Sequence, residues 1–244
     1  MRRLSLFLAI LLTLGLVASA CASDLDPALE VGSTEITRDD LDGLVAEARE
    51  LQDVFVAERG GGGAGLPFIG TPATDLAGSE SADLIGGILE LYAASEVIDV
   101  AFEARNAQIG DDLRAEIGAG IDGAFLANFG LDDELETGLG KVLRDFFVDQ
   151  EILNASVGFF EPTEAELALL AEAAGAPGPD DPVLLQQVEA AIANGPGSVA
   201  VLFASLETDV DLDPRYGEWI PFQLAIFPRG ASVGFPPGFT PAAG

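Results

Sequence analysis

Between Thr37 and Leu206, apolar side chains return every three or four positions in long runs, and the runs stop where glycine and proline cluster. That spacing puts each run on one face of a helix and leaves little chain for sheet. Leu41, Leu44, Val45, Ala48, Leu51 and Val54-Phe55 form the first stripe. Thr37 opens it as an N-cap able to accept from the backbone N–H of Asp40, and Asp39 and Asp40 complement the helix dipole. Ser81 to Ala107 carries a second stripe through Leu84, Ile88, Leu91, Val97 and Phe102, and it reads as the central buried helix. Gly110-Asp111-Asp112 begins a shorter helix running towards Phe125, weakened by Gly118, Gly120 and Gly123 by up to about 1 kcal/mol each.

One continuous helix is expected from Asp132 to Ser156, and Thr163 with Glu166 forms a capping box for the next. Residues 174–182 break the pattern and Val183 to Ala193 resumes it. Gly195-Pro196-Gly197 interrupts again, and Ser198 to Leu206 is apolar enough to fit a buried helix or a strand.

Extended chain is expected at the two ends of this helical body. Ala28–Val31 and Thr34–Ile36 flank a Gly32-Ser33 turn. Asp209 to Asp213 alternates as a strand does, and Trp219 to Phe227 is rich in aromatic and branched residues. The fold class is therefore mainly α, with a small β element made by the N-terminal hairpin and a C-terminal strand. Gly60 to Pro72 reads as a surface loop; its GGGGAG run lacks the preceding strand and following Lys-Ser/Thr of a phosphate cradle. One domain is expected over 28–227, followed by a flexible Pro/Gly-rich tail over 228–244.

Residues 1–20 have the form of an export signal: Arg2 and Arg3, an apolar run from Leu4 to Val17, then small residues before Cys21. The apolar run falls short of the roughly 20 residues a membrane-spanning helix needs. Cys21 is the only cysteine, so no intrachain disulfide is possible. The stretch resembles a bacterial lipoprotein signal, which implies cleavage before Cys21 and lipid attached to it, despite Ala18 where leucine is usual. Residues 21–27 then form a tether. The expected location is the outer face of the cytoplasmic membrane, or outside the cell if Cys21 carries no lipid.

Removing residues 1–20 leaves nine basic and 41 acidic residues, a net charge of −32. Nucleic acid and anionic headgroups are repelled by such a surface, which leaves the lipid as the only expected membrane contact. Histidine is absent and Lys141 is the only lysine. The commonest general base and metal ligand are thus missing. Serine-hydrolase chemistry lacks its imidazole, and no G-x-S-x-G occurs. The acidic pairs Asp39-Asp40, Asp111-Asp112, Asp132-Asp133 and Asp180-Asp181 sit near helix starts, where they cap. Asp209, Asp211 and Asp213 share one face of a strand but lack the glycine and later glutamate of an EF-hand loop, so a solvated face is expected there. No cofactor, metal or enzymatic activity is expected, and the sparse aromatics argue against a sugar cleft.

Two segments carry a resemblance. Val31, Gly32, Ile36, Thr37 and Leu41 are similar to the opening "V-x-G-x-x-I-T-x-x-x-L" of SurA/PrsA-type extracytoplasmic chaperones, without the usual asparagine before the glycine. Residues 209–219, DVDLDPRYGEW, resemble a segment near the C-terminus of lipid-anchored SurA-N-like proteins of high-GC Gram-positive bacteria. The resemblance implies a helical domain that cradles unfolded or extended segments of exported proteins. The inserted parvulin domain is missing, since its histidines are absent and residues 162–209 are too few to hold it. A non-catalytic, membrane-anchored holdase is the resulting expectation. Separately, the aromatics Phe146, Phe147, Phe159 and Phe160 lie in or after one helix; most of them are expected to be core, with one or two as candidate client contacts. The competing expectation is a structural or assembly lipoprotein that binds one folded envelope partner.

Overall fold

The computed structural model describes residues 27–60, 65–70 and 80–227. The leader, Cys21 and the tail from residue 228 onward lie outside the described residues. Among the described residues, seven α-helices and small antiparallel sheets make a mainly α fold.

Strands β1 (Pro27–Val31) and β2 (Thr34–Thr37) form the expected hairpin. Gly32 turns it at φ +55°, a left-handed conformation that glycine adopts without steric cost. The Thr34 hydroxyl donates to the carboxylate of Glu96 on the central helix, which ties the hairpin to the body. Helix α1 (Arg38–Arg59) begins on the capping box read from the sequence. Asp40 N–H donates to Thr37 Oγ1 at 3.3 Å, and Thr37 N–H donates to the Asp40 carboxylate at 2.9 Å.

Helix α2 (Glu80–Arg105) is central, in contact with α1, β1, α4 (Gly138–Ser156) and α7 (Pro196–Glu207). Helix α3 (Asp111–Phe129) packs on α4, while α5 (Glu164–Ala174) and α6 (Pro182–Asn194) pack on α7. Two apolar cores result. The larger gathers Leu29, Phe55, Ile88, Leu91, Ile98, Leu143 and their neighbours; the smaller gathers Leu170, Leu184, Val188, Ile192 and Phe203. Helix α7 serves both, giving Ala200, Val201 and Ala204 to the first and Val199 and Phe203 to the second. A helix buried on several sides has no polar face, which is why Ser198 to Leu206 showed no period.

Three expectations need correction. Residues 65–70 are more than a surface loop: Leu66 and Ile69 are buried, and Gln52 Nε2 donates to the Ile69 carbonyl at 2.8 Å. Gly87 of α2 lets this segment come close, because a Cβ there would lie 1.7 Å from the Phe68 carbonyl oxygen. The expected Asp132–Ser156 helix is divided into a 3-10 turn, Asp133–Leu135, and α4. Glu47 of α1 accepts from Leu139 N–H at 2.6 Å, so a carboxylate from another helix satisfies an amide that Thr137 leaves unbonded.

The third correction concerns the C-terminal strands. The C-terminal strand expected beside the hairpin is β3 (Val210–Leu212), which pairs with β1 in the sheet order β2-β1-β3. Trp219 to Phe227 instead folds on itself as β4 (Glu218–Ile220) and β5 (Ala225–Phe227) around a 3-10 turn at Pro221–Gln223. The aspartate face is not wholly solvated either: Arg38 donates to Asp213 at 2.9 Å and Arg215 adds further bonds to it. Of the acidic pairs, Asp40 and Asp181 cap with their side chains, whereas Asp111 and Asp112 occupy a first turn whose N-cap, Gly110, makes no side-chain bond.

Glu90 of α2 holds the C-terminal ribbon by accepting from Ile226 N–H at 3.2 Å. Burial raises its pKa from 4.5, and the Ile226 bond opposes that rise more weakly. A carboxyl with a raised folded pKa binds its proton more tightly in the native state, so it adds stability as pH falls through that pKa towards the unfolded value. Glu90→Gln keeps the acceptor and removes the charge. It is expected to be more stable than the native chain near pH ~7, with the difference shrinking towards pH ~4. Urea unfolding at both pH values measures this, and an equal difference at the two would contradict it.

Candidate functional site

The chain leaving α2 and the chain leaving α4 come together to line one recess. Asn106 takes φ +46° after α2, with Ala107 N–H bonded to the Phe102 carbonyl and Asn106 N–H to that of Glu103. This is a Schellman ending, in which asparagine replaces the commoner glycine. Helix α4 ends instead in extended chain at Val157 (φ −81°, ψ 113°), which leads into Gly158, Phe159 and Phe160. The result is a recess of about 430 Å³ lined by Arg105–Gln108 and Ser156–Phe160.

Arg105 organises its wall. Its guanidinium carbon lies 3.8 Å from the centroid of the Phe160 ring and 5.9 Å from that of Phe203, within reach of cation–π attraction. The same guanidinium pairs with Glu166, and the two side chains are 12% and 5% exposed. Glu166 thus has a second duty beside the capping box, where it accepts from Thr163 N–H at 2.7 Å. Phe160 and Phe203 meet edge to face at 6.4 Å, so Phe160 packs where the two cores adjoin. Arg105 Nε and Ser156 Oγ are both buried without a hydrogen-bond partner.

Phe159 is the most exposed of the large apolar side chains among the described residues, at 66%. Phe160 beside it is half-buried. Phe146 and Phe147, named with them from the sequence, belong to a different place. Phe146 is 7% exposed and meets Phe68 edge to face at 5.0 Å, while Phe147 is part-buried against Phe125 and Phe146. Phe146 is therefore a core residue, and of the four only Phe159 and Phe160 share a recess.

Arg105 itself was missed from the sequence, although a signal existed. In a chain with 11 basic and 41 acidic residues, an arginine ending an apolar helix is unusual enough to deserve a partner. Which carboxylate it meets, 61 residues away, no local pattern reveals.

Among the described residues, no group of three or more Asp, Glu, His or Cys is placed to hold a metal ion. No described helix is long and apolar enough to cross a membrane. Comparison with known proteins adds no relative: no family model, no curated protein and no solved structure matches the chain.

Proposed function

We propose that this protein is a non-catalytic, holdase-like chaperone, anchored through lipid on Cys21 at the outer face of the cytoplasmic membrane, that binds unfolded or extended segments of exported proteins. The observation that carries the reading is Phe159, a ring 66% exposed at the lip of the recess formed with Phe160 and Arg105. An exposed aromatic beside a half-buried one offers apolar contact to a passing side chain. The resemblance of residues 31–41 and 209–219 to SurA/PrsA-type chaperones points the same way. The acidic exterior limits self-association of a protein with such a surface.

The test is suppression of aggregation. The purified mature protein, at a few-fold excess, is expected to slow the aggregation of a chemically unfolded client. Phe159→Ser is expected to lose most of that effect with unchanged stability, because the ring is outside the core. No slowing across several unrelated clients would sink the reading. Crosslinking in cells provides a second measurement: many nascent exported proteins are expected as products, and a single stoichiometric folded partner would mark an assembly lipoprotein instead.

A further inference from the structure

Strands β3 and β4 follow one another in the chain and lie close, yet they do not pair. Between them is a cleft of about 590 Å³, lined by Thr208–Leu212 on one wall and by Gly217, Glu218, Trp219 and Pro221 on the other. Which backbone groups face it follows from the alternation of bonded and non-bonded residue pairs in antiparallel sheets. Asp213 N–H donates to the Ala28 carbonyl at 3.0 Å, so in the register Glu30 with Asp211 the bonded pairs are Ala28/Asp213 and Glu30/Asp211. Val210 and Leu212 must then turn their N–H and C=O groups away from β1.

The second ribbon obeys the same rule. Ile226 N–H is taken by Glu90, so Ile226 and Trp219 form the non-bonded pair of β4 and β5. Trp219 therefore turns its own N–H and C=O away from β5. Among the described residues, none of these groups on Val210, Leu212 or Trp219 has a backbone partner outside the ladders. The buried indole Nε1 of Trp219 has none either.

Unpaired strand edges are commonly shielded by charge, and three exposed carboxylates, Asp209, Asp211 and Glu218, border this cleft without an ion pair among the described residues. The same charges repel an acidic chain and attract a basic one. We propose that the cleft between β3 and β4 binds an extended, lysine- or arginine-bearing polypeptide segment by strand addition. Backbone hydrogen bonds to Val210, Leu212 and Trp219 hold the segment, and the carboxylates select its charge. This rests on the polypeptide-binding reading above but places the guest's backbone at a different site from Phe159.

Trp219 is the only tryptophan, so its fluorescence reports on the cleft. Titration of the full chain with a blocked ten-residue peptide alternating Lys with Val and Thr is expected to give a saturable emission change that weakens as salt is added. The same peptide with Glu for Lys is expected to give none. Val210→Pro removes an edge donor outside the β1 ladder and is expected to weaken binding about tenfold, the scale of one or two hydrogen bonds. Should that variant not fold, the exposed triple change Asp209→Asn, Asp211→Asn, Glu218→Gln is expected to weaken binding at low salt and flatten the salt dependence.

Equal binding of the Lys and Glu peptides, or binding unmoved by both variants, would overturn the proposal. So would dimerisation of the protein that Val210→Pro abolishes, which gives the edge to a second copy. Binding seen only in a chain ended at Phe227 would give the cleft to the tail and likewise overturn it. Phe159→Ser is expected to leave the peptide titration unchanged. Lost aggregation suppression with retained peptide binding therefore counts against the holdase reading of Phe159 alone.

Discussion

Glu166→Ala is expected to lower the free energy of unfolding by about 3–5 kcal/mol, the range for removing one partner of a buried ion pair. The carboxylate is 5% exposed and serves Arg105 with one oxygen and the Thr163 backbone N–H with the other. Without it, the Arg105 guanidinium remains among Phe160 and Phe203 with no counter-charge, and the α5 capping box loses its reciprocal bond, worth about 1 kcal/mol. Two further variants separate these contributions. Glu166→Gln preserves the cap and removes the charge, so it should retain part of the stability. Arg105→Met combined with Glu166→Ala removes the stranded cation and should recover much of the loss, since an apolar replacement of a buried pair is often close to neutral. Urea unfolding of the native chain, Glu166→Ala, Arg105→Met and the combined variant forms a double-mutant cycle that isolates the pair. A single Glu166→Ala effect under about 1 kcal/mol would show that water compensates the arginine and that the pair is not the bolt between α2 and α5.

The second large effect comes from two adjacent glycines that should respond with opposite sign. Gly86 and Gly87 both lie inside α2, where alanine is the better helix former by about 1 kcal/mol. A Cβ on Gly86 meets nothing within 4 Å, so Gly86→Ala should stabilise the protein. A Cβ on Gly87 would sit 1.7 Å from the Phe68 carbonyl oxygen, and backbone cannot rotate out of the way as a side chain can. Gly87→Ala must push residues 65–70 outward, at a cost of about 1–3 kcal/mol or more, which exceeds the propensity gain. That displacement also uncovers Leu66 and Ile69, now 2% and 3% exposed, and strains the bond from Gln52 to Ile69. Thermal unfolding of the two variants side by side is sufficient. If Gly87→Ala were as stable as Gly86→Ala, the close approach of loop and helix would be wrong.

What was legible in the sequence shares one property: its signals act within a few residues. Thr37 with Asp40, Thr163 with Glu166, and Asp181 with the amides of Val183 and Leu184 all cap helices over spans of two or three positions. The hairpin at Gly32-Ser33 is equally local. The recess was only half legible. Phe159 and Phe160 stood out as aromatics past the end of a helix, but the arginine and glutamate that fix Phe160 come from elements far away in the chain. Phe146, inside the helix, ended in the core, because an aromatic at helical spacing does not say whether another element will cover it.

The sequence by itself determined the helical class, the caps, the leading hairpin and the strand character of residues 210–212, because helix period, cap chemistry and strand alternation are set by near neighbours. Tertiary structure alone decided where α4 begins, through Glu47 and Leu139 at a separation of 92 residues. It also decided that Leu66 and Ile69 are core, that β3 rather than β4 completes the sheet beside β1, and that Ser198 to Leu206 is a helix between two cores. Each of these depends on which surfaces meet after the chain has collapsed. Apolar burial and hydrogen-bond satisfaction reward such meetings without regard to distance along the sequence.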